Sequence, residues 1–578
     1  MATKLKKVDD RILRLYVLGG LHELGKNMFV FEAHNPEKPE ESEYIILDAG
    51  LRYIGHEEPG IDYAMADYRF LKDKKKQIKA LILTSPHDRH CGAAHQIICN
   101  LEIENVYGPG LALELTKAEL NPETVKKINW TLLDSRLEID LDPFIVTSYY
   151  ITSHTGENYA LLIEALGKKI FYSGSFKIDQ TPTDGRKTDV AGMLSHLSAK
   201  AEFAKVADLY IGDSTNVEIS GYSKSEKDII PTFKKIFAEN KESRIIVNTY
   251  DSNVVRIVNL FALAQEFNRK VVLVHRNMRK VVAAVERLYT YDINDEMIIS
   301  IQEAKDHKDS ELLLLTGSPE DLALDSLEMI TYNKSLELNI KEGDVIVNSA
   351  DLPPGTVRKM AQISDQCFLR SVKMIGGRNA NVNVESNALT EELKFMFNVT
   401  RPKYFLPALG ETRQLVKHAK LAVETGFDPG SILILDNGDV IEFAENNVVR
   451  VIEQVPYEEI LYSMMDHYVL EEHLVKARDV MSREGVVIVS FSLNRKNKKI
   501  VAGPLFSAKA CTFSKNKEWK AFCMFNTQPI VEAVDALYSG KPEATIQECE
   551  EIVKNHMQKV IKQQIGKRPE LIVHASQV

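Results

Sequence analysis

The sequence predicts an α/β protein in which a doubly wound domain is inserted into a larger layered domain, with a small α/β tail behind. Three observations predict it. From Arg11 to about Thr215 short β-rich runs alternate with polar turns; from about Asn216 to Ile375 longer helical stretches separate apolar runs; between Leu393 and Phe443 strand-like pieces return. Many short strands with helices between them imply sheets covered by helices, whereas apolar runs spaced by helices imply a parallel sheet wound on both faces.

The first stretch offers strands at Leu13 to Leu18, Met28 to Glu32, Tyr44 to Leu47, Ile78 to Thr84, Ile145 to Thr152 and Lys169 to Ser173. The second offers buried, parallel-type strands at Ile245 to Thr249, Lys270 to His275, Leu312 to Thr316 and Asp344 to Asn348. Tyr404 to Pro407 and Ser431 to Leu435 are expected to complete the first domain, ending in the turn Asp436-Asn437-Gly438-Asp439. The tail offers strands at Val486 to Leu493 and Trp519 to Phe525 and an amphipathic helix near Thr545 to Ile565. The expected domains are 1–215, 216–375, a completing part 376–450, a linker 451–485 and a C-terminal assembly domain 486–578. Lys74 to Lys76 and Arg495 to Lys499 are expected to be solvated turns.

Size and composition fit this division. A chain of 578 residues is too long for one core and suggests about three or four folding units. Hydrophobic residues make up 44% and charged residues 27%, with no uncharged apolar run long enough to span a bilayer, so a cytoplasmic protein is expected. The segment Met1 to Asp10 carries Lys4, Lys6 and Lys7 without a hydrophobic stretch behind them, which is not the pattern of a secretory signal. Six cysteines without CxxC spacing imply reduced thiols. The net charge of −10 argues against indiscriminate nucleic-acid binding while leaving room for a local basic channel.

Four distant segments carry the chemistry: Leu18-Gly-Gly-Leu-His-Glu-Leu-Gly-Lys-Asn27 with Leu47-Asp-Ala-Gly-Leu51; Leu83-Thr-Ser-Pro-His-Asp-Arg-His-Cys-Gly92; Tyr172-Ser-Gly-Ser-Phe-Lys-Ile-Asp179; and Gly212-Asp-Ser-Thr-Asn216. Later pieces are Thr316-Gly-Ser318, Val384-Glu-Ser-Asn-Ala388, Arg401-Pro-Lys-Tyr404 and Pro407-Ala-Leu-Gly-Glu-Thr-Arg413. In order and spacing these resemble the ribonuclease J family, a metallo-β-lactamase αββα sandwich interrupted by a β-CASP domain. More narrowly, they resemble the degenerate one of two paralogues in bacteria that carry two.

What the resemblance implies is a site taken apart. In active relatives a His-x-His-x-Asp-His loop, a Thr-Gly-Asp-Phe-Lys motif and a Pro-x-His-Gly-Glu motif hold two zinc or manganese ions about 3.5 to 4 Å apart around an activated water. The corresponding residues here are Ser85, His87, Arg89 and His90, then Ser175, then Leu409, with His154 standing for the third-motif histidine. The histidine expected to protonate the leaving oxygen is Asn387, which cannot titrate usefully near neutral pH. Only His87, His90 and His154 remain as metal ligands, and Arg89 puts a permanent cation where a divalent ion should sit. No stably bound metal is expected, apart from a structural calcium that some relatives place near the equivalents of Asp48, the Gly50 carbonyl and Asp439. Asp213 is expected to maintain the fold. RNA contact is implied for Thr316, Gly317 and Ser318 and for Asn383, Val384, Glu385, Ser386 and Asn387, through backbone N–H groups that survive side-chain change.

The implied function is an RNA-binding, poorly active or inactive subunit that assembles with an active paralogue, or forms a homodimer, and modulates 5′-3′ exonuclease and endonuclease action in mRNA decay and RNA maturation. Two alternatives stay open. A residual metal-dependent ribonuclease would need carboxylates from Asp88, Glu157, Asp179 or Glu411, and a stand-alone RNA-binding scaffold would need no nuclease partner. His22, His56, His95 and His275 lack a ligand pattern and are expected to be structural or surface residues.

Overall fold

The computed structural model describes residues 10–54, 60–197, 206–288, 291, 293–335, 338–351, 355–377, 380–444, 449–463, 468–511 and 516–578. Lys4, Lys6, Lys7 and His56 lie outside the described residues. The chain divides into two compact units, one made of Met1–Tyr53 and Tyr63–Ile460 and the other of Ile54–Asp62 and Leu461–Val578.

The first unit opens with strands β1 (Ile12–Gly19), β2 (Met28–His34), β3 (Glu43–Leu47), β4 (Ile78–Ile82), β5 (Asn105–Gly108) and β6 (Asn129–Leu132). A second series follows as β7 (Glu138–Leu141), β8 (Phe144–Ile151), β9 (Asn158–Ala165), β10 (Lys168–Tyr172) and β11 (Leu209–Asp213). The inserted part supplies β12 (Ile245–Tyr250), β13 (Lys270–Leu273), β14 (Leu312–Ser318), β15 (Val345–Asn348) and β16 (Lys373–Ile375). The chain then returns through β17 (Tyr404–Ala408), β18 (Asp439–Phe443) and β19 (Val449–Gln454).

Strand order explains the layers. One sheet runs β19-β18-β1-β2-β3-β4-β5-β6, the other β7-β8-β9-β10-β11-β17. Alternate residues of the two meet in one core, Leu15, Phe29, Phe31 and Ile45 from the first against Val146, Leu161, Ile170 and Leu406 from the second. The outer face of the second sheet, with Tyr149, Leu162, Phe171, Tyr210 and Phe405, is covered by residues of the helices Val190–Leu197, Thr390–Thr400 and Thr412–Glu424. On the outer face of the first sheet Tyr16 stacks on Phe70 of the 3₁₀ segment Arg69–Gln77, their ring centroids 4.9 Å apart. This is the αββα sandwich. The inserted sheet is all parallel, ordered β13-β14-β12-β15-β16, and has a separate apolar cluster on each face, as the doubly wound reading requires.

In the second unit β20 (Val486–Leu493) lies between β21 (Ile500–Lys509), antiparallel to it, and β22 (Glu570–Gln577), parallel to it. The helix Ile546–Ile565 starts with a Thr545/Glu548 capping box, ends at Gly566 in the left-handed region, and buries Cys549, Val553, Met557 and Ile561 at every fourth residue.

Two local expectations are corrected. Trp519 to Phe525 is not a strand but part of the helix Asn516–Gly540, which buries Phe522, Asn526, Ile530, Val534 and Tyr538. That four-residue spacing extends beyond the aromatic run and overrides its β-propensity. Ser431 to Leu435 contributes a single bridge, Ile432 to Phe405, because Asp428-Pro429-Gly430 tightens the chain into a 3₁₀ turn. Within residues 451–485 the chain is partly ordered: Val449–Gln454 pairs with β18 and Glu472–Glu484 is helical. All six cysteines are free thiols, and among the described residues no helix is long and apolar enough to cross a membrane.

Candidate functional site

The site is built on the loop that leaves β4 and enters the short helix Asp88–Cys91. Asp48, just after β3 and fully buried, organises it: its carboxylate accepts hydrogen bonds from the Thr84 amide (2.8 Å) and hydroxyl (2.9 Å), from the Tyr172 hydroxyl (2.8 Å) and from His90 Nδ1 (2.7 Å). Burial, then the Asp48 charge, raises the Tyr172 pKa well above the usual tyrosine value and keeps it a donor. With its Nδ1–H given to Asp48, His90 presents Nε2 as an acceptor, and the Ser175 hydroxyl (2.8 Å) and Asn27 amide (3.2 Å) take that position. The lone pair that a metal needs is therefore spent on protein donors.

His87 is committed differently. It caps the short helix, its Nδ1 accepting the Arg89 N–H at 3.1 Å, while the Ser85 hydroxyl accepts the His87 N–H at 3.1 Å. An imidazole accepting at Nδ1 carries its proton on Nε2, which lies 3.4 Å from Glu320 Oε2. Arg89 Nη1 reaches the same oxygen at 2.9 Å, and both side chains are largely buried, at 12% and 19% exposure. Burial works to raise the Glu320 pKa, but Arg89 and then His87 outweigh it, and the carboxyl stays well below the usual carboxylate range.

Glu320 was not anticipated. It stands on the turn after β14, two residues beyond the Thr316-Gly-Ser318 segment, and joins the inserted domain to the first one. Sequence carried one signal for it: a cation buried at Arg89 needs a carboxylate from somewhere.

His154 is buried 5.6 Å, ring to ring, from His87; its Nδ1 faces the Ser386 carbonyl at 3.3 Å, and its Nε2 has no partner among the described residues. Burial, then neighbouring His87, holds its pKa down at about 3, so it is neutral. Leu409 sits at φ +54 with its N–H on the Gly20 carbonyl (2.7 Å) and its side chain in the core. Asn387 is buried, its carbonyl accepting from Asn216 at 3.2 Å. Asp213 accepts from the Thr215 N–H at 2.9 Å, and burial, working against those Thr215 bonds, lifts its pKa to about 6. A carboxyl whose folded pKa exceeds its unfolded value contributes stability below about pH 4 that is lost as pH rises through 6. Asp213→Asn is therefore expected to remove a fall of about 3 kcal/mol between those limits, checked by urea midpoints of both proteins at pH 4, 5, 6 and 7.

Gly50 shows how tightly the loops are set. A Cβ on it would lie 1.7 Å from the Arg89 carbonyl oxygen, which itself accepts the Asn27 N–H at 3.1 Å. Gly50→Ala is expected to cost about 1–3 kcal/mol in a thermal melt, because backbone on both sides must shift.

The residues expected to meet RNA separate into two groups. Val384 is 3% exposed, its side chain packed in the core of the inserted domain. Gly317 is crowded by Met278 and the Thr249 carbonyl, and Thr316 is fully buried, its hydroxyl without a partner among the described residues. Asn383 donates to Asp351 (2.6 Å) and accepts from buried Arg256, which also pairs with Glu226 at 2.6 Å. The Glu385 carbonyl accepts Lys177 Nζ at 3.1 Å, and the Ser386 carbonyl faces His154. These segments brace one another around the cleft.

Asp48 and Asp439 stand at the ends of β3 and β18, which are separated by β2 and β1 in their sheet, and Asp439 accepts the Asp436 N–H at 2.8 Å. The residues present do not fit two metal ions: the imidazole nitrogens of His87 and His90 are bonded within the protein, and among the described residues no three His, Cys, Asp or Glu side chains are grouped to hold an ion. The other carboxylates are committed too. Asp88 accepts from Tyr53 (3.0 Å), Glu157 from the Leu111 N–H (3.1 Å), Asp179 from Ser225 (2.8 Å), and Glu411 pairs with Arg413. His22 bonds the Thr412 hydroxyl and the Leu435 carbonyl, each at 2.9 Å.

Comparison with known proteins adds the following. Residues 242–367 match the family model described as Ribonuclease J, beta-CASP domain, and residues 473–578 match the Ribonuclease J C-terminal domain. Ribonuclease J of Synechocystis sp. is 30% identical over 85% of this chain and 74% of its own length. Ribonuclease J2 of Bacillus subtilis is 28% identical over 94% of this chain and 93% of its own, and ribonuclease J of Helicobacter pylori 25% identical over 97% and 79%. Among solved structures, the metallo-beta-lactamase fold protein YhfI from Bacillus subtilis overlays 36% of this chain and 72% of its own, at a TM-score of 0.25 and 13% identity.

Proposed function

The chain belongs to the ribonuclease J family, and we propose that it serves there as an RNA-binding, poorly active or inactive subunit that works with an active paralogue. In this role it adjusts 5′-3′ exonuclease and endonuclease action during mRNA decay and RNA maturation in the cytoplasm, without a stably bound metal. One observation carries the reading: Arg89 and Glu320 form an ion pair in the cleft, and the imidazoles beside them are bonded to protein groups. With no activated hydroxide, and with Asn387 in place of an acid, cleavage falls to the active partner. RNA handling needs none of those groups, because phosphate contacts position a strand without chemistry.

The Nε2 of buried His154, without a partner among the described residues, favours one second reading, a residual single-metal ribonuclease. Cleavage of 5′-monophosphorylated RNA by rigorously purified chain, alone and mixed with an active relative, separates the two. Expected is negligible cleavage alone and an altered rate or cleavage pattern in the mixture. Robust metal-dependent cleavage by the chain alone would replace the first reading by the second, and no change in the mixture would remove the paralogue from it.

A further inference from the structure

The most informative ligand in the cleft is one the protein provides itself. Glu320 Oε2 belongs to the inserted domain, yet its donors, Arg89 Nη1 at 2.9 Å and His87 Nε2 at 3.4 Å, both stand on the loop of the first domain. The backbone that carries Arg89 and the tautomer of His87 are set independently of Glu320. Arg89 is anchored through its N–H on His87 Nδ1 and its carbonyl on the Asn27 N–H, and His87 is locked as the Nε2–H tautomer by the same contact. Leu51, Tyr53 and Pro319 wall the recess, and with the carboxylate in place only about 10 Å³ stays open. A guanidinium edge and an imidazole N–H converging on one oxygen recognise a phosphate oxygen by the same geometry as a carboxylate oxygen.

We propose that Arg89 and His87 form an oxyanion seat in place of the metal centre, that Glu320 is its built-in occupant, and that a phosphate group displaces Glu320 and thereby unlatches the inserted domain from the first. Asp88, turned to Tyr53, and Asp251 flank the recess, so the seat favours an anion that contacts it through one or two oxygens rather than a highly charged one. The seat does not depend on the proposed function; only the identity of its natural occupant as an RNA phosphate rests on that reading.

Anion rescue of the full chain tests it. Glu320→Ala is melted in chloride and in inorganic phosphate at equal ionic strength, beside wild type and the double variant Arg89→Met, Glu320→Ala. The expected result is a lowered melting temperature for Glu320→Ala that phosphate restores, with an apparent dissociation constant about tenfold tighter than for wild type, and no rescue of the double variant. Equal melting of Glu320→Ala in both salts, or equal rescue of the double variant, would overturn the seat. Where Glu320→Ala does not accumulate folded, Glu320→Gln, which keeps the volume and loses the charge, is read in the same titration. Binding of labelled 5′-monophosphorylated RNA identifies the occupant. Tighter binding by Glu320→Ala than by wild type, measured in chloride without phosphate, assigns RNA; phosphate rescue with unchanged RNA affinity leaves the seat standing for free phosphate and removes the RNA assignment alone.

Discussion

Asp48→Ala is expected to abolish the native fold of the first unit at ordinary temperatures. The substitution leaves the Thr84 amide and hydroxyl, the Tyr172 hydroxyl and His90 Nδ1 without their acceptor in a region closed to water. Each buried donor left unpaired costs about 1–3 kcal/mol. Several together rival the whole stability of a typical domain, about 5–15 kcal/mol. Circular dichroism and urea unfolding check this; a variant that melts within a few degrees of wild type would show that Asp48 is not the organising residue. Loss of RNA-related activity alone would not distinguish the possibilities, since a misfolded loop also loses function.

A second large effect concerns Arg89. Arg89→Asp alone places a carboxylate against Glu320, with no cation left between them, and is expected to cost about 3–5 kcal/mol without creating a metal site. Combined with Ser85→His, Ser175→Asp and Leu409→His, the same change should begin to restore metal binding. Ser175 already lies 2.8 Å from His90 Nε2, so a carboxylate there enters the right neighbourhood, and the positive φ at position 409 is one that histidine tolerates better than leucine. Zinc and manganese content after dialysis, measured by elemental analysis, is the readout. At least one retained equivalent is expected for the fourfold variant and none for the single one. Metal retained by Arg89→Asp alone would mean that the ligand positions are wrongly assigned.

The layered fold was legible because its strands are runs of Val, Ile, Leu and Phe bounded by polar turns, and such runs bury themselves whatever the tertiary details. The C-terminal helix Asn516–Gly540 was misread because a seven-residue window of aromatics says strand, while the four-residue spacing that settles it as helix needs a window three times longer. Strand β19 was missed because it is exposed, with Val451 56% accessible, and an edge strand with a charged, exposed pattern looks like a connection.

At the site, the substitutions themselves were visible, and so was the problem of a cation at Arg89. Its solution was not. Glu320 reaches Arg89 only because the inserted domain folds back over the loop, and contacts between domains have no periodicity to betray them. Likewise Val384 shares its segment with Glu385 and Ser386, and only the packing of the inserted domain tells the core residue from its neighbours.

The pairing of β11 with β17 has a consequence for biosynthesis. These adjacent parallel strands are separated by about 190 residues, and the chain makes the whole inserted domain between them. At about 5–20 residues per second, β11 waits roughly 10–40 seconds on the ribosome for its neighbour. Throughout that interval Leu209–Asp213, buried at every position in the finished protein, is a bare sheet edge able to pair with another nascent chain. Translation speed and chaperone supply, rather than final stability, should therefore limit the yield of this protein in cells.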